Sequence, residues 1–130
     1  MPQPPPLYAP RYLSGMTSPD TRVIQVEMMD ERPETRARVE SVFNNYSQLV
    51  RVVGMKPVSS KIFQVLVAAA PRAQLSIDTT AYNLARDMAL IQTARAQVLS
   101  ISQLGSAYDF MQYSDIIGSK DFSLGYFYGR

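Results

Sequence analysis

The sequence predicts a mainly α protein in which two long amphipathic helices pack as an antiparallel pair. Three observations carry that expectation. Leu84, Met88, Ile91, Ala94, Val98 and Ile101 recur at steps of four and three, the period of one helix face, in a proline-free stretch from Thr79 to Ile117. At about 1.5 Å per residue, the part up to Leu104 alone would be a rod of ~37 Å. A second apolar stripe, Val39, Val42, Phe43, Tyr46, Leu49, Val50 and Val53, has the same period. The third is compositional: 46% of the 130 residues are apolar, enough for one domain with a real core. A short third helix or strand is expected between the two helices. A minor β element precedes them, and extended arms lie at both ends.

In chain order, residues 1–20 read as a Pro-rich extended arm, with Pro2, Pro4, Pro5, Pro6, Pro10 and Pro19 among the nine prolines of the chain. Pro4-Pro5-Pro6 favours polyproline II, which has little entropy left to lose on docking. Tyr8 and Tyr12 are candidate partner contacts on this arm. Residues 21–118 read as a helical domain with a small β element. Thr21–Met29 alternates, with Ile24, Val26 and Met28 on one side and Gln25 and Glu27 on the other, as a half-buried strand does.

Asp30-Glu31-Arg32-Pro33-Glu34 reads as a helix start, because Pro33 suits the first turn and the carboxylates suit the positive end of the helix dipole. This helix is expected to run to Val53, with Gly54 as its cap and Pro57 blocking continuation. Lys61–Val67 fits a helix or a strand, and Ala68-Ala69-Ala70 tips the reading towards a short helix. Ala73–Ile77 alternates and could pair with the first strand. Asp78, Thr79 or Thr80 would cap the long second helix, with a break or bend near Gly105 and an end at Gly118. Residues 119–130 read as an aromatic C-terminal arm, whose candidate partner contacts are Phe122, Leu124, Tyr126, Phe127 and Tyr128.

Composition narrows the chemistry. The chain has no cysteine, histidine or tryptophan. That removes disulfides, thiolate and imidazole metal sites, and the usual neutral-pH acid and base. No cofactor or metal is expected. The acidic group Glu27, Asp30, Glu31 and Glu34 matches no calcium-loop spacing and is explained by the helix start. Asp109, Asp115 and Asp121, with Tyr108 and Tyr113 between them, have nothing that separates an active site from a polar rim. Six glycines never cluster as a phosphate cradle requires.

The formal net charge is +2, from ten arginines and three lysines against eleven acids. Arg22, Arg32, Arg36 and Arg38 form the best candidate patch for an anion or nucleic acid, although Glu31, Glu34 and Glu40 interleave them. Tyr and Arg are typical interface anchors, and Met supplies adaptable contact. The reading that follows is a non-enzymatic structural subunit of a large assembly, by architectural analogy a phage head, neck or tail component. It would bind copies of itself and other structural proteins through its terminal arms. The alternative is a small helical dimer acting as a nucleic-acid-associated or regulatory module. No apolar run is long enough to span a bilayer, and the N-terminus lacks the form of a secretory signal, so synthesis in the cytoplasm and incorporation into a virion or other large assembly are expected.

Overall fold

A computed structural model describes residues 21–71, 73–99, 111, 112, 122 and 124. In chain order the described elements are β1 (Thr21–Met28), α1 (Pro33–Asn45), β2 (Val50–Pro57), β3 (Ile62–Ala69), α2 (Ile77–Leu90), β4 (Ala94–Leu99) and β5 (Met111–Gln112). The strands form one sheet in the order β4-β1-β3-β2-β5, and every neighbouring pair is antiparallel. Strand β3 lies between β1 and β2, and β1 lies between β3 and β4. The body is therefore two interleaved split βαβ units, the ferredoxin-like topology.

Sheet order corrects the expected mainly α fold. The first helix ends at Asn45 rather than Val53. Its last apolar residues enter β2, where Val50, Val52 and Met55 face the core. β-Branched valines suit a strand, and the spacing of so short a run fits either period. Gly54 caps no helix. It is buried within β2 opposite Leu66, next to a register shift between Val52 and Gly54. Lys61–Val67 is strand, not helix, and Phe63, Val65 and Val67 point into the core.

The rod from Thr79 is also corrected. Helix α2 stops at Leu90, Gln92 takes the left-handed φ of 63°, and Ala94–Leu99 returns as β4 beside β1. Ala94 and Val98 continue the helical spacing of Leu84, Met88 and Ile91 only by coincidence. Alternation of Ala94, Ala96 and Val98 with Arg95 and Gln97 is the stronger local signal. Ala73–Ile77 does not pair with β1, since Ile77 already opens α2. The expected bend at Gly105 and end at Gly118 lie outside the described residues.

β1 occupies the stretch read as a strand, with Ile24, Val26 and Met28 on the core side. Both helices lie against this face. α1 contributes Val39, Val42 and Phe43, and α2 contributes Ile77, Ala81, Leu84 and Met88. The cap of α2 is Ser76, not Asp78, Thr79 or Thr80 as expected: it accepts a hydrogen bond from the Thr79 N–H at 3.1 Å, and those three residues lie inside the helix. α1 starts differently: Asp30 accepts from the Arg32 N–H and the Thr35 hydroxyl, and Pro33 follows. The Tyr46 hydroxyl donates to Asp87 and ties the end of α1 to α2.

Two residues of the C-terminal segment complete the same core. Phe122 stacks on Phe43 with ring centroids 4.3 Å apart and lies 6.3 Å from Phe63. Leu124 is fully buried. The Phe122 N–H donates to Asn44 Oδ1 at 2.9 Å and the Leu124 N–H to Glu40 Oε2 at 2.7 Å. Asn44 and Glu40 are one helical turn apart, so this segment runs along α1 in the opposite sense.

Candidate interaction surface

The sheet face away from the helices carries a different set of side chains, arranged in rows by strand register. Lys56 opposes Gln64, Gln64 opposes Gln25, and Gln25 opposes Gln97, which makes a polar row across four strands. Gln64 Nε2 donates to Gln25 Oε1 at 2.9 Å, whereas the buried Gln64 Oε1 has no hydrogen-bond partner. The adjacent row is ionic: Arg95 Nη2 lies 3.1 Å from Glu27 Oε1. A third row, Leu99, Val23 and Leu66, is apolar and buried yet separate from the core under the helices.

Two shallow cavities follow β4. One, of about 400 Å³, is lined by Gln25, Glu27, Arg95, Ala96 and Gln97. The other, of about 300 Å³, is lined by Met28, Met29, Lys61, Gln92 and Ala94, and shares Glu27 and Arg95 with the first. Both reach the outer strand, and Met29 at one end is 65% exposed.

Hydrogen-bond phase fixes what β4 offers at its outer edge. Met29 donates its N–H to the Thr93 carbonyl at 2.8 Å, so 29 and 93 form a hydrogen-bonded antiparallel pair. In such a ladder the pairs alternate. Arg95, Gln97 and Leu99, opposite Glu27, Gln25 and Val23, therefore direct their backbone groups towards β1. Ala94, Ala96 and Val98 direct theirs away from the sheet. Among the described residues no strand takes them up.

Ionisation elsewhere is structural. Hydrogen bonds from the Thr35 hydroxyl and the Arg32 N–H hold the Asp30 carboxyl below its ordinary range. Hydrogen bonding to the Arg22 guanidinium and the charge of that group do the same for Asp78. Burial, reinforced by the hydrogen bond to Asp87, pushes the Tyr46 phenol up to about 12.

Of the arginines grouped from sequence, Arg32 and Arg36 lie one turn apart at the start of α1, where the Arg36 N–H donates to the Arg32 carbonyl at 3.1 Å, and Arg22 is on a different element. Arg22 starts β1 and makes a two-pronged contact with Asp78, at 2.7 and 3.1 Å. Arg32 lies beyond the other end of that strand and is paired with Glu34 at 3.8 Å. Arg36 is on the first turn of α1, and Arg38 donates to the Ile91 carbonyl at 3.5 Å. The acidic group is dispersed: Glu27 pairs with Arg95, Asp30 serves the start of α1, and Glu31 accepts from the Ser60 hydroxyl. Among the described residues no group of acids is placed to hold a metal ion, and no helix is long and apolar enough to cross a membrane.

Of the aromatic-arm residues, Phe122 and Leu124 face the chain's own core. Tyr8, Tyr12, Tyr126, Phe127 and Tyr128 lie outside the described residues, as do Tyr108, Asp109, Tyr113, Asp115 and Asp121. Sequence reasoning did not single out the polar row, the ionic row or the β4 edge. The signal was present in the period-two pattern of 94–99, hidden by alanine's preference for helices. No protein-family model matches this chain, and neither a curated protein nor a solved structure matches it.

Proposed function

We propose that this chain is a non-enzymatic structural subunit of a larger assembly, and that its body binds a neighbour along the β4 edge and the cavities beside it. The observation that carries this reading is the straight β4 edge, with the outward backbone groups of Ala94, Ala96 and Val98. An extended segment added there gains main-chain hydrogen bonds, while side chains entering adjacent depressions set specificity. Arg95, Glu27 and the amides of Gln25 and Gln97 are the reading groups on one side. The terminal arms, residues 1–20 and 119–130, are proposed as further tethers. Among large assemblies, a phage virion is the kind proposed, on architectural analogy alone.

A nucleic-acid role gains less support. The second sheet face presents Gln, Val, Leu, Glu and Arg on β1, β3 and β4, where a base-stacking sheet needs aromatic rings. The test of the proposal is amide exchange on the chain within its native complex. Protection of Ala94, Ala96 and Val98 that is lost on release supports it. Unprotected amides at all three positions in the intact complex would sink it.

A further inference from the structure

We infer that the partner at the β4 edge is a second copy of this chain, paired β4 to β4 about a two-fold axis through Ala96. This deepens the reading of β4 as the binding edge and rests on it. The first argument is register. A strand paired antiparallel with its own copy must place residues of like face opposite one another. Two such registers pair five residues within β4: one centred on Ala96 and one on Gln97. The outward groups belong to Ala94, Ala96 and Val98, a set symmetric about Ala96. Centred there, Ala96 meets Ala96 of the copy as a hydrogen-bonded pair, and Ala94 meets Val98 in both directions. Every outward N–H and C=O of the three residues is then satisfied. Centred on Gln97, Ala94 is left outside the paired segment.

The side chains fit the same register. On the helix side the contacts are alanine with alanine and alanine with valine, small enough for close approach, and Val98, 37% exposed in the isolated chain, is covered. On the other face Arg95 lies opposite Gln97 of the copy, so no like charges are directly opposed. The polar row then continues across the two-fold, from Gln25 and Gln97 to Arg95 of the copy.

Among the described residues the edge carries few of the devices that keep strands apart. Proteins blunt edges with proline, lysine, bulges or a covering segment. β4 contains no proline or lysine, and its pairing with β1 runs without a register shift from Val23 opposite Leu99 to Met28 opposite Ala94.

The test uses the full chain and its lack of cysteine. Light scattering across a dilution series is expected to show a monomer–dimer equilibrium. Ala96→Pro removes an outward N–H at the two-fold and leaves the β1 ladder intact. It should weaken association by about tenfold or more, because one bond is lost from each copy. Val98→Lys, at an already exposed position, should do likewise. In the Ala96→Cys chain, mild oxidation should give a disulfide-linked dimer, since Cα atoms in a hydrogen-bonded antiparallel pair are about 5.5 Å apart, within disulfide reach. Arg51→Cys, away from this edge, should not cross-link at that rate. A chain that stays monomeric throughout the series overturns the inference. So does a dimer that survives both edge variants and fails to cross-link through Ala96→Cys. A monomer that still shields β4 in its native complex would overturn self-pairing and leave the proposed function standing.

Discussion

The two βαβ halves of this domain share a topology and differ at their outer strands. In the first half, β1-α1-β2, the outer strand is bulged between Val52 and Gly54, ends at Pro57 and pairs with β5. Its helix also holds Phe122 and Leu124 through Asn44 and Glu40. In the second half, β3-α2-β4, the outer strand is straight and ends in neither proline nor bulge. Among the described residues its outer edge is bare. The first half is closed by additional segments of the same chain. The second half has the geometry that receives an added strand. The difference teaches that the sheet is finished on one side by sequence and on the other, in our account, by association.

The largest effect tests the closed half. Phe122→Ala removes a buried ring stacked on Phe43 and should cost about 3–5 kcal/mol in a denaturant titration. A loss of only a few tenths would mean that the C-terminal segment does not complete the core, and the contrast between halves would fail.

A smaller effect tests the open half's own integrity. Ser76→Ala removes the cap of α2 and should cost about 1 kcal/mol by thermal unfolding, without changing self-association. A cap variant that dissociated the dimer as well would tie α2 to the interface and blur the assignment to β4.

The tie between the halves has a pH signature. The Tyr46 phenol, raised to about 12 in the folded chain, titrates near 10 when unfolded. Its contribution to stability is therefore full below that unfolded value and lost as pH rises through about 12. Tyr46→Phe should flatten the alkaline limb of a stability–pH curve. On the acid side the sign reverses. Asp30 and Asp78 have lowered folded pKa values, so their contributions are present above the unfolded value of about 3.9 and are lost as pH falls through the lowered ones. Asp78→Asn should make the acid limb less steep. Limbs unchanged by these substitutions would show that neither hydrogen bond persists in solution.

The smallest expected stability change is at the bare edge. Val98→Lys should alter monomer stability by no more than about 0.5 kcal/mol, as at most surface sites, while it weakens association. A large loss of stability there would mean that the edge is already built into the fold of one copy.

How much of this was legible in the sequence can be argued element by element. β1 was read correctly because Ile24, Val26 and Met28 alternate with polar residues and no competing period exists. The start of α1 was also visible, in Pro33 with its acids, whereas that of α2 was placed too late, since Ser76 and not Asp78, Thr79 or Thr80 caps it. The helix ends were not visible. Val50 and Val53 satisfy a helical stripe and a strand equally well over so few residues, and only pairing with β3 decides between them. Alanines at 94 and 96 favour helix intrinsically, and the β1 ladder overrides that preference. The two helix readings therefore failed for one reason: strand pairing is non-local and leaves little trace in local propensity. The candidate surface was hidden by the same error, because a rod through 94–99 has no edge.

Residue-resolved amide exchange across a concentration series tests the central claim most directly. The account predicts that Arg95, Gln97 and Leu99 are protected at every concentration by β1. Ala94, Ala96 and Val98 should exchange freely in the dilute chain and become protected as it associates. An associated form in which those alternate three amides still exchange freely would contradict it.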